Sequence, residues 1–399
     1  MSMLHVASAL ADLRRTSPQN IVSALNEAAG PLARDLVLYL IDYDQEILQP
    51  YLDGSTVDVV SEEPVGSTLA GRAFTSGERV VAARPGGPRV WVPVFEHSER
   101  CGVLAITVDT DDVEVLARCS ALGTLAGLFV ASGARYTDLV HVRKRGRSMT
   151  LAASMQWDLL PPLTLRSDRV VVAGMLEPAY EVAGDCFDHA VNGDRVDIAI
   201  FDGMGHGITS TLLATLAVGT YRHQRRENRN IVTIHDTIDS TLGEEFGGES
   251  FVTGVLMRLD SASGRLEVTN AGHPAPLLLR DRQVVGEIDC EPSTPFGLGS
   301  PCQRVTTVAL EPGDSVVLFT DGVVEARGVD GTEFGVDRLG DFLEREAASG
   351  RLPEEILRRL VRAVLEHQTG RLRDDATVVL LHWDGPPSGA IPQQGSLID

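Results

Sequence analysis

The sequence predicts an α+β protein of two domains, the second built from β-sheets packed against each other with helices outside. Three observations predict it. The 399 residues exceed the ~100–200 of one typical domain. From Arg169 onward, strand-like runs cluster apart from long helical segments instead of alternating with them. Hydrophobic residues make up 43% and charged residues 23% of the chain, an ordinary globular composition.

In chain order, the stretch from Ser8 to Ala28 has helical character, and strands are expected at Leu36–Ile41, Val90–Phe95 and Val103–Val108, separated by turn-rich stretches such as Arg84-Pro85-Gly86-Gly87-Pro88. Val113–Ala131 reads as a long, mostly apolar helix. A basic run, His141 to Arg147, then leads into MTLAASMQWDLLPP. There Met149, Ala152, Met155 and Leu159 form one helical stripe that Pro161 and Pro162 end. This is read either as a signalling helix paired with its twin in a dimer, or as a docked helix with a solvated face.

Further strands are expected at Val170–Met175, Val196–Phe201, Val252–Leu259, Leu266–Thr269, Ala275–Leu279, Val305–Leu310, Val316–Phe319 and Thr377–His382. Helices are expected at Ile208–Arg226, Ile231–Phe246 and Glu354–Gln368. The closing Pro/Gly/Ser/Gln-rich stretch, 385–399, is expected to be disordered.

Charge and composition narrow the function. With 35 Lys+Arg against 56 Asp+Glu, the net charge of −21 disfavours nucleic acid and anionic membranes as partners. No apolar run approaching ~20 residues is read as a membrane span, and no signal segment is read at the start. Cys101, Cys119, Cys186, Cys290 and Cys302 are odd in number and contain no C-x-x-C pair, so a reducing cytoplasmic setting is expected. Lys144 is the only lysine and follows Arg143, so a G-x-x-x-x-G-K phosphate loop is excluded.

Acidic residues carry the chemistry. Asp185, Asp202, Asp321 and the pair Asp374-Asp375 fall at strand ends or turns, with Asp202 and Asp321 each following a buried apolar run. Carboxylates converging there would repel one another unless cations neutralised them, and all-oxygen ligands select hard ions such as Mg²⁺ or Mn²⁺. Gly203, Gly205 and Gly207 permit close backbone approach, so that a carbonyl can join the ligands.

The ordered motifs GDCFD, FDGMGHG, NAGHPAPLLL, LEPGDSVVLFTDGVVEA and RDDATVV resemble the metal-dependent serine/threonine protein phosphatases, in the bacterial branch typified by the sporulation stage II E phosphatase and the stress-response regulatory phosphatases. The resemblance implies an αββα sandwich over 166–384 with two Mn²⁺ or Mg²⁺ ions between its sheets. By the same resemblance, Asp202 bridges the ions and Gly203 offers its carbonyl. Asp321 and Asp374 ligate one or both ions, and Asp185 holds the other directly or through water. Ala183 departs from the family's usual Gly outside that set. The implied chemistry is attack on a phosphoester by a water that the ions activate. The implied substrate is a phosphorylated protein, an anti-sigma factor antagonist in this branch. The segment GRAFTSGERV, with RVWVPVF and ERCGVLAITVD, resembles GAF domains. It implies a sensor over 1–134 with an unidentified ligand or protein partner, joined by a connector helix over 135–165; a PAS-like sensor or a ligand-free dimerisation domain are the alternatives.

Several residues keep two readings. Cys186 lacks the C-x5-R phosphate cradle, because Asn192 stands where Arg is needed, and is read as a packing residue. His206 is either a general acid or a turn residue, His273 a turn residue or a functional one, and Asp188 a holder of metal-bound water or an ordinary turn carboxylate. A catalytically silent phosphoprotein-binding module and a hydrolase of small phosphoesters are the rival functions.

Overall fold

The computed structural model describes residues 17, 19–52, 60–177, 180, 184–299, 301–302, 304–368 and 374–386. Ala183, the first part of the Ser8–Ala28 helical stretch and almost all of the tail lie outside them. The chain divides into two compact units, Met1–Met149 and Thr150–Asp399.

The first unit contains α1 (Ile21–Ala29), β1 (Asp35–Ile41), β2 (Ile47–Pro50), β3 (Glu63–Pro64), α2 (Leu69–Ser76), β4 (Val80–Ala82), β5 (Arg89–Glu96), β6 (Glu99–Thr107), α3 (Val113–Gly133) and α4 (Leu139–Lys144). Its strands form one antiparallel sheet in the order β3-β2-β1-β6-β5-β4. Alternation along β1 sends Leu36, Leu38 and Leu40 into a core with α1 and α3, while Val37, Tyr39 and Ile41 pack with Phe74 of α2 on the other face. By length and composition α3 is apolar enough to cross a bilayer, contrary to the sequence reading. Yet its Cys119, Leu122, Leu125, Ala126, Phe129 and Val130 are buried against the sheet, as in the core helix of a globular unit.

The second unit opens with α5 (Leu151–Leu159), β7 (Thr164–Arg166), β8 (Val170–Glu177), β9 (Asp185–Asn192) and β10 (Arg195–Gly203). The helices α6 (Ile208–Arg226) and α7 (Ile231–Phe246) follow, then β11 (Val252–Asp260), β12 (Arg265–Ala271), β13 (Leu277–Arg280), β14 (Gln283–Glu287), β15 (Thr306–Ala309) and β16 (Ser315–Phe319). The last elements are α8 (Asp321–Val324), α9 (Gly335–Ala348), α10 (Pro353–His367) and β17 (Ala376–Trp383). The strands make two antiparallel sheets, β15-β12-β11-β10-β9 and β14-β13-β16-β17-β8-β7.

Three cores define four layers. Residues from both sheets, among them Val172, Phe187, Ile198, Val255, Leu318 and Leu381, interdigitate in the middle. The outer face of the first sheet, through Ala199 and Leu256, packs on Leu213, Val218, Ile234 and Ile238 of α6 and α7. The outer face of the second, through Val317, Val378 and Leu380, packs on Leu339, Leu357 and Leu360 of α9 and α10. The second unit is therefore an αββα sandwich. The helix pairs offer apolar stripes to the sheets, as their spacing dictates.

The connector departs from expectation. In place of one helix over 135–165 there are two short ones, α4 and α5, and β7 follows directly. Met149 precedes α5, whose buried residues are Ala152, Ala153 and Gln156; of the predicted stripe only Ala152 is buried, and Met149, Met155 and Leu159 are half-buried. Gln156, a polar residue off the predicted stripe, takes a buried position because its amide is hydrogen-bonded there, which a periodicity of apolar residues does not register.

Candidate metal centre

Four strand ends deliver five carboxylates to one place. Asp185 is the first residue of β9 and lies directly opposite Asp202, near the end of β10, in the antiparallel ladder. From the other sheet, Asp321 opens α8 just past β16, and Asp374 and Asp375 immediately precede β17. The sheets are stitched together at this point. The Asp185 N–H donates to Asp375 Oδ2 at 3.3 Å, and the Thr320 hydroxyl donates to Asp185 Oδ2 at 2.8 Å. Thr320 is fully buried, and its oxygen also accepts the Thr377 N–H at 2.9 Å.

Glycine is required where backbones meet. A side chain at Gly322 would place its Cβ 1.9 Å from the Asp375 carbonyl oxygen, so only glycine lets α8 seat Asp321 beside the Asp374-Asp375 turn. At Gly203 the same atom would lie 2.7 Å from the Ser210 carbonyl, and the Gly203 N–H donates to Gly184 O at 3.0 Å.

The electrostatics are those of a site built for cations. Burial, then the neighbouring Asp202 and Asp375 charges, raises Asp185 well above the usual carboxylate range. Asp202 is pushed up to about 7 by burial and by Asp321, Asp374 and Asp375. Asp375 is pushed up to about 7 by burial and by Asp374. Asp321 is raised by burial and by Asp374. Asp375 is buried, and its Oδ1 has no hydrogen-bond partner, whereas Asp374 is exposed at the rim. Oxygen-only donors, mutual repulsion and an orphaned buried carboxylate oxygen together fit hard divalent ions. Among the described residues no three His, Cys, Asp or Glu side chains draw together tightly enough to enclose an ion by themselves. Ions held here would complete their shells with water and a backbone carbonyl, as Mg²⁺ commonly does.

The remaining candidates separate cleanly. Asp188 is not a turn carboxylate and does not face this cluster. It lies within β9, three residues from Asp185 and therefore on the opposite face. There it accepts from Arg222 (2.7 and 3.1 Å) and Arg225 (2.7 Å) of α6. Cys186 is fully buried, and burial raises its thiol far above the ordinary range, so it offers no thiolate. His273 is buried, with its pKa lowered to about 3 by burial; its Nδ1 lies 2.9 Å from the Thr253 hydroxyl, and Asn270 brackets its backbone. His206 is exposed in the loop between Gly205 and Gly207.

Two contributors carry no signal in the sequence reading. Thr320, just before the Asp321-Gly322 pair, is a small polar residue at a strand end. Gln156 of α5 donates from Nε2 to the Asp185 carbonyl at 2.7 Å, and Arg222 donates to the carbonyl of Leu159 at 2.7 Å. The helix preceding the sandwich is thereby clipped to the strand that bears Asp185.

Comparison with known proteins bears on the same unit. Residues 192–384 match the family model described as Stage II sporulation protein E (SpoIIE). The matched stretch lies within the second unit and runs from the end of β9 through β17. The chain is 25% identical to the phosphoserine phosphatase RsbP of Bacillus subtilis over 186 residues, 45% of each chain. It is 23% identical over 242 residues to the phosphoserine phosphatase RsbU of the same organism, covering 58% of this chain and 68% of that one. The chain thus spans less than half the length of RsbP. Among solved structures, the SiaA-PP2C domain of Pseudomonas aeruginosa aligns with a TM-score of 0.49 at 23% identity, over 58% of this chain and 94% of that one.

Proposed function

We propose that the chain is a Mn²⁺- or Mg²⁺-dependent protein serine/threonine phosphatase, controlled through its N-terminal unit and acting in the cytoplasm. The observation that carries this reading is the convergence of Asp185, Asp202, Asp321, Asp374 and Asp375 from both sheets at one end of the sandwich. Asp202, Asp185, Asp321 and Asp374, with the Gly203 carbonyl, would hold two ions. Such ions supply a nucleophilic water near neutral pH and neutralise charge on the phosphoryl oxygens. The protein's own part is to orient the acids. Thr320 and Asp375 fix the two ends of Asp185, and the ladder fixes Asp202 against it. In this reading His206, exposed four positions after Asp202, is the candidate to protonate the leaving serine oxygen, its other reading being a turn residue.

The substrate in this reading is a phosphorylated anti-sigma factor antagonist, and the first unit is a GAF-like sensor in a homodimeric protein. Support for a phosphoserine substrate comes from the resemblance of the motifs and from the two phosphoserine phosphatases among the relatives. The test is phosphate release from a phosphoserine protein with Mn²⁺. The wild type should release it, and Asp202→Asn should not; activity that survives Asp202→Asn would overturn the proposal.

A further inference from the structure

Four of the large apolar side chains exposed in the second unit lie in two segments that adjoin the Asp202-bearing end of β10. Among the described residues of this unit there are seven, Leu151, Met204, Ile208, Leu212, Val285, Leu298 and Val329, and four of them belong to those two neighbouring segments. Met204 follows Asp202 by two positions and is 40% exposed. Ile208 opens α6, and Leu212 stands one turn on along the same face, 50% and 45% exposed. Leu298 is 44% exposed.

The backbone joins these segments side by side. The Met204 N–H donates to Phe251 O at 3.0 Å, Val252 pairs with both Gly203 and Phe296, and a Cβ on Gly297 would touch Phe251. The loop bearing Leu298 is also tied down. Asp239 of α7 accepts the N–H groups of Gly297 (2.8 Å) and Gly299 (3.1 Å). Leu298 is therefore presented to solvent by a fixed loop.

From this juxtaposition we infer that Met204, Ile208, Leu212 and Leu298 form the docking surface for the protein substrate, and that they select a phosphoserine flanked by apolar side chains. The inference rests on the phosphatase reading above. A phosphoserine is a short side chain, so the polypeptide presenting it must lie against whatever rims the metal centre. That rim offers little attraction by charge. Asp202, Asp321, Asp374 and the exposed Glu325 are all acidic, and the whole chain carries −21. Apolar contact around the phosphate is the remaining source of affinity for a protein over a small phosphoester. Half-exposed side chains on a rigid helix turn and an anchored loop meet that need at small ordering cost.

The test uses the full-length protein with Mn²⁺ and three probes. Two are phosphoserine peptides, one with Leu, Ile and Val around the phosphoserine and one with Ser and Gly at the same positions; the third is p-nitrophenyl phosphate. The wild type should favour the apolar peptide by roughly ten-fold or more in kcat/KM. Leu212→Ser with Leu298→Ser should abolish that preference, mainly through KM, and change p-nitrophenyl phosphate turnover less than about two-fold. Thermal melting verifies that the variant folds, and the milder Leu298→Ala should give an intermediate preference. Equal use of the two peptides by the wild type, or an unchanged preference in the double variant, would overturn the inference. So would sedimentation showing that the double variant splits a wild-type dimer, since the patch would then be a self-interface. Failure of the wild type to turn over any of the three probes would instead overturn the phosphatase reading and this inference with it.

Discussion

Thr320 has one hydroxyl proton and two acceptors within reach, Asp185 Oδ2 at 2.8 Å and the Asp375 carbonyl at 3.4 Å, and the shorter, carboxylate contact takes it, while the oxygen accepts the Thr377 N–H. The hydroxyl thereby holds one carboxylate oxygen and directs the other toward the cluster. Thr320→Val keeps the shape and removes the proton. It should weaken Mn²⁺ binding by roughly 10–100-fold, as loss of a partner that orients a ligand does, with Thr320→Ser restoring most of the affinity. Calorimetric titration of Mn²⁺ would show this, and an unchanged affinity would refute it. The carboxylates make a second residue-scale prediction. Burial and mutual repulsion raise Asp185, Asp202, Asp321 and Asp375 above their unfolded values. Their contribution to stability is therefore whole below about pH 4 and lost as pH rises through about 7, where Asp202 and Asp375 give up their protons. Metal-free protein should melt lower at pH 8 than at pH 5, and Asp202→Asn should flatten that slope and raise the melting temperature at pH 8 by a few degrees. A wild-type slope of opposite sign, or one that Asp202→Asn leaves intact, would count against the geometry.

The element whose position matters most is α5. Gln156 reaches the Asp185 carbonyl and Arg222 reaches the carbonyl of Leu159, while Arg222 and Arg225 also hold Asp188 on the other face of β9. A fragment beginning at Thr150 should therefore keep Mn²⁺-dependent turnover, whereas one beginning at Ser167 should lose at least about ten-fold in kcat/KM; equal kinetics would show that α5 is dispensable. The elements were legible in the sequence to very different degrees. The expected bounds of α6 and α7 coincide with the observed ones, because long apolar stripes interrupted by Asn and Gly fix both helix ends. The strand β9 was missed because its DCFDHAVN buries two aspartates and a histidine, and hydrophobic periodicity is blind to a strand whose polar side chains are paired. The helix α9 was missed as well; its start has no side-chain cap, but neither do those of α6 and α10, which were read from their apolar stripes. The acidic motifs pointed to the carboxylate cluster, but Thr320 and Gln156 act through single hydrogen bonds across 135 and 29 residues of chain. No local pattern records such a bond.

At the scale of the whole molecule, the division into two compact units separates a six-stranded sheet carrying its own two cores from a sandwich carrying three. Ions that bind only the folded sandwich should stabilise that unit alone. At a Mn²⁺ concentration about 100-fold above the dissociation constant the gain is about 2.7 kcal/mol, enough to raise its melting transition by roughly 5–10 °C. Calorimetry should show one transition moving and the other still; two transitions moving together would contradict independent units. The acidity of the chain, which argued against nucleic acid, is concentrated functionally where its repulsion demands cations. The most direct test of that claim is the initial rate of p-nitrophenyl phosphate hydrolysis as a function of Mn²⁺. The rate should rise from near zero with metal, vanish with chelator, and fall more than about a hundred-fold in Asp202→Asn, since a ligand matters at least as much as the groups that orient it. A rate indifferent to Mn²⁺, or one that Asp202→Asn leaves intact, would contradict the account.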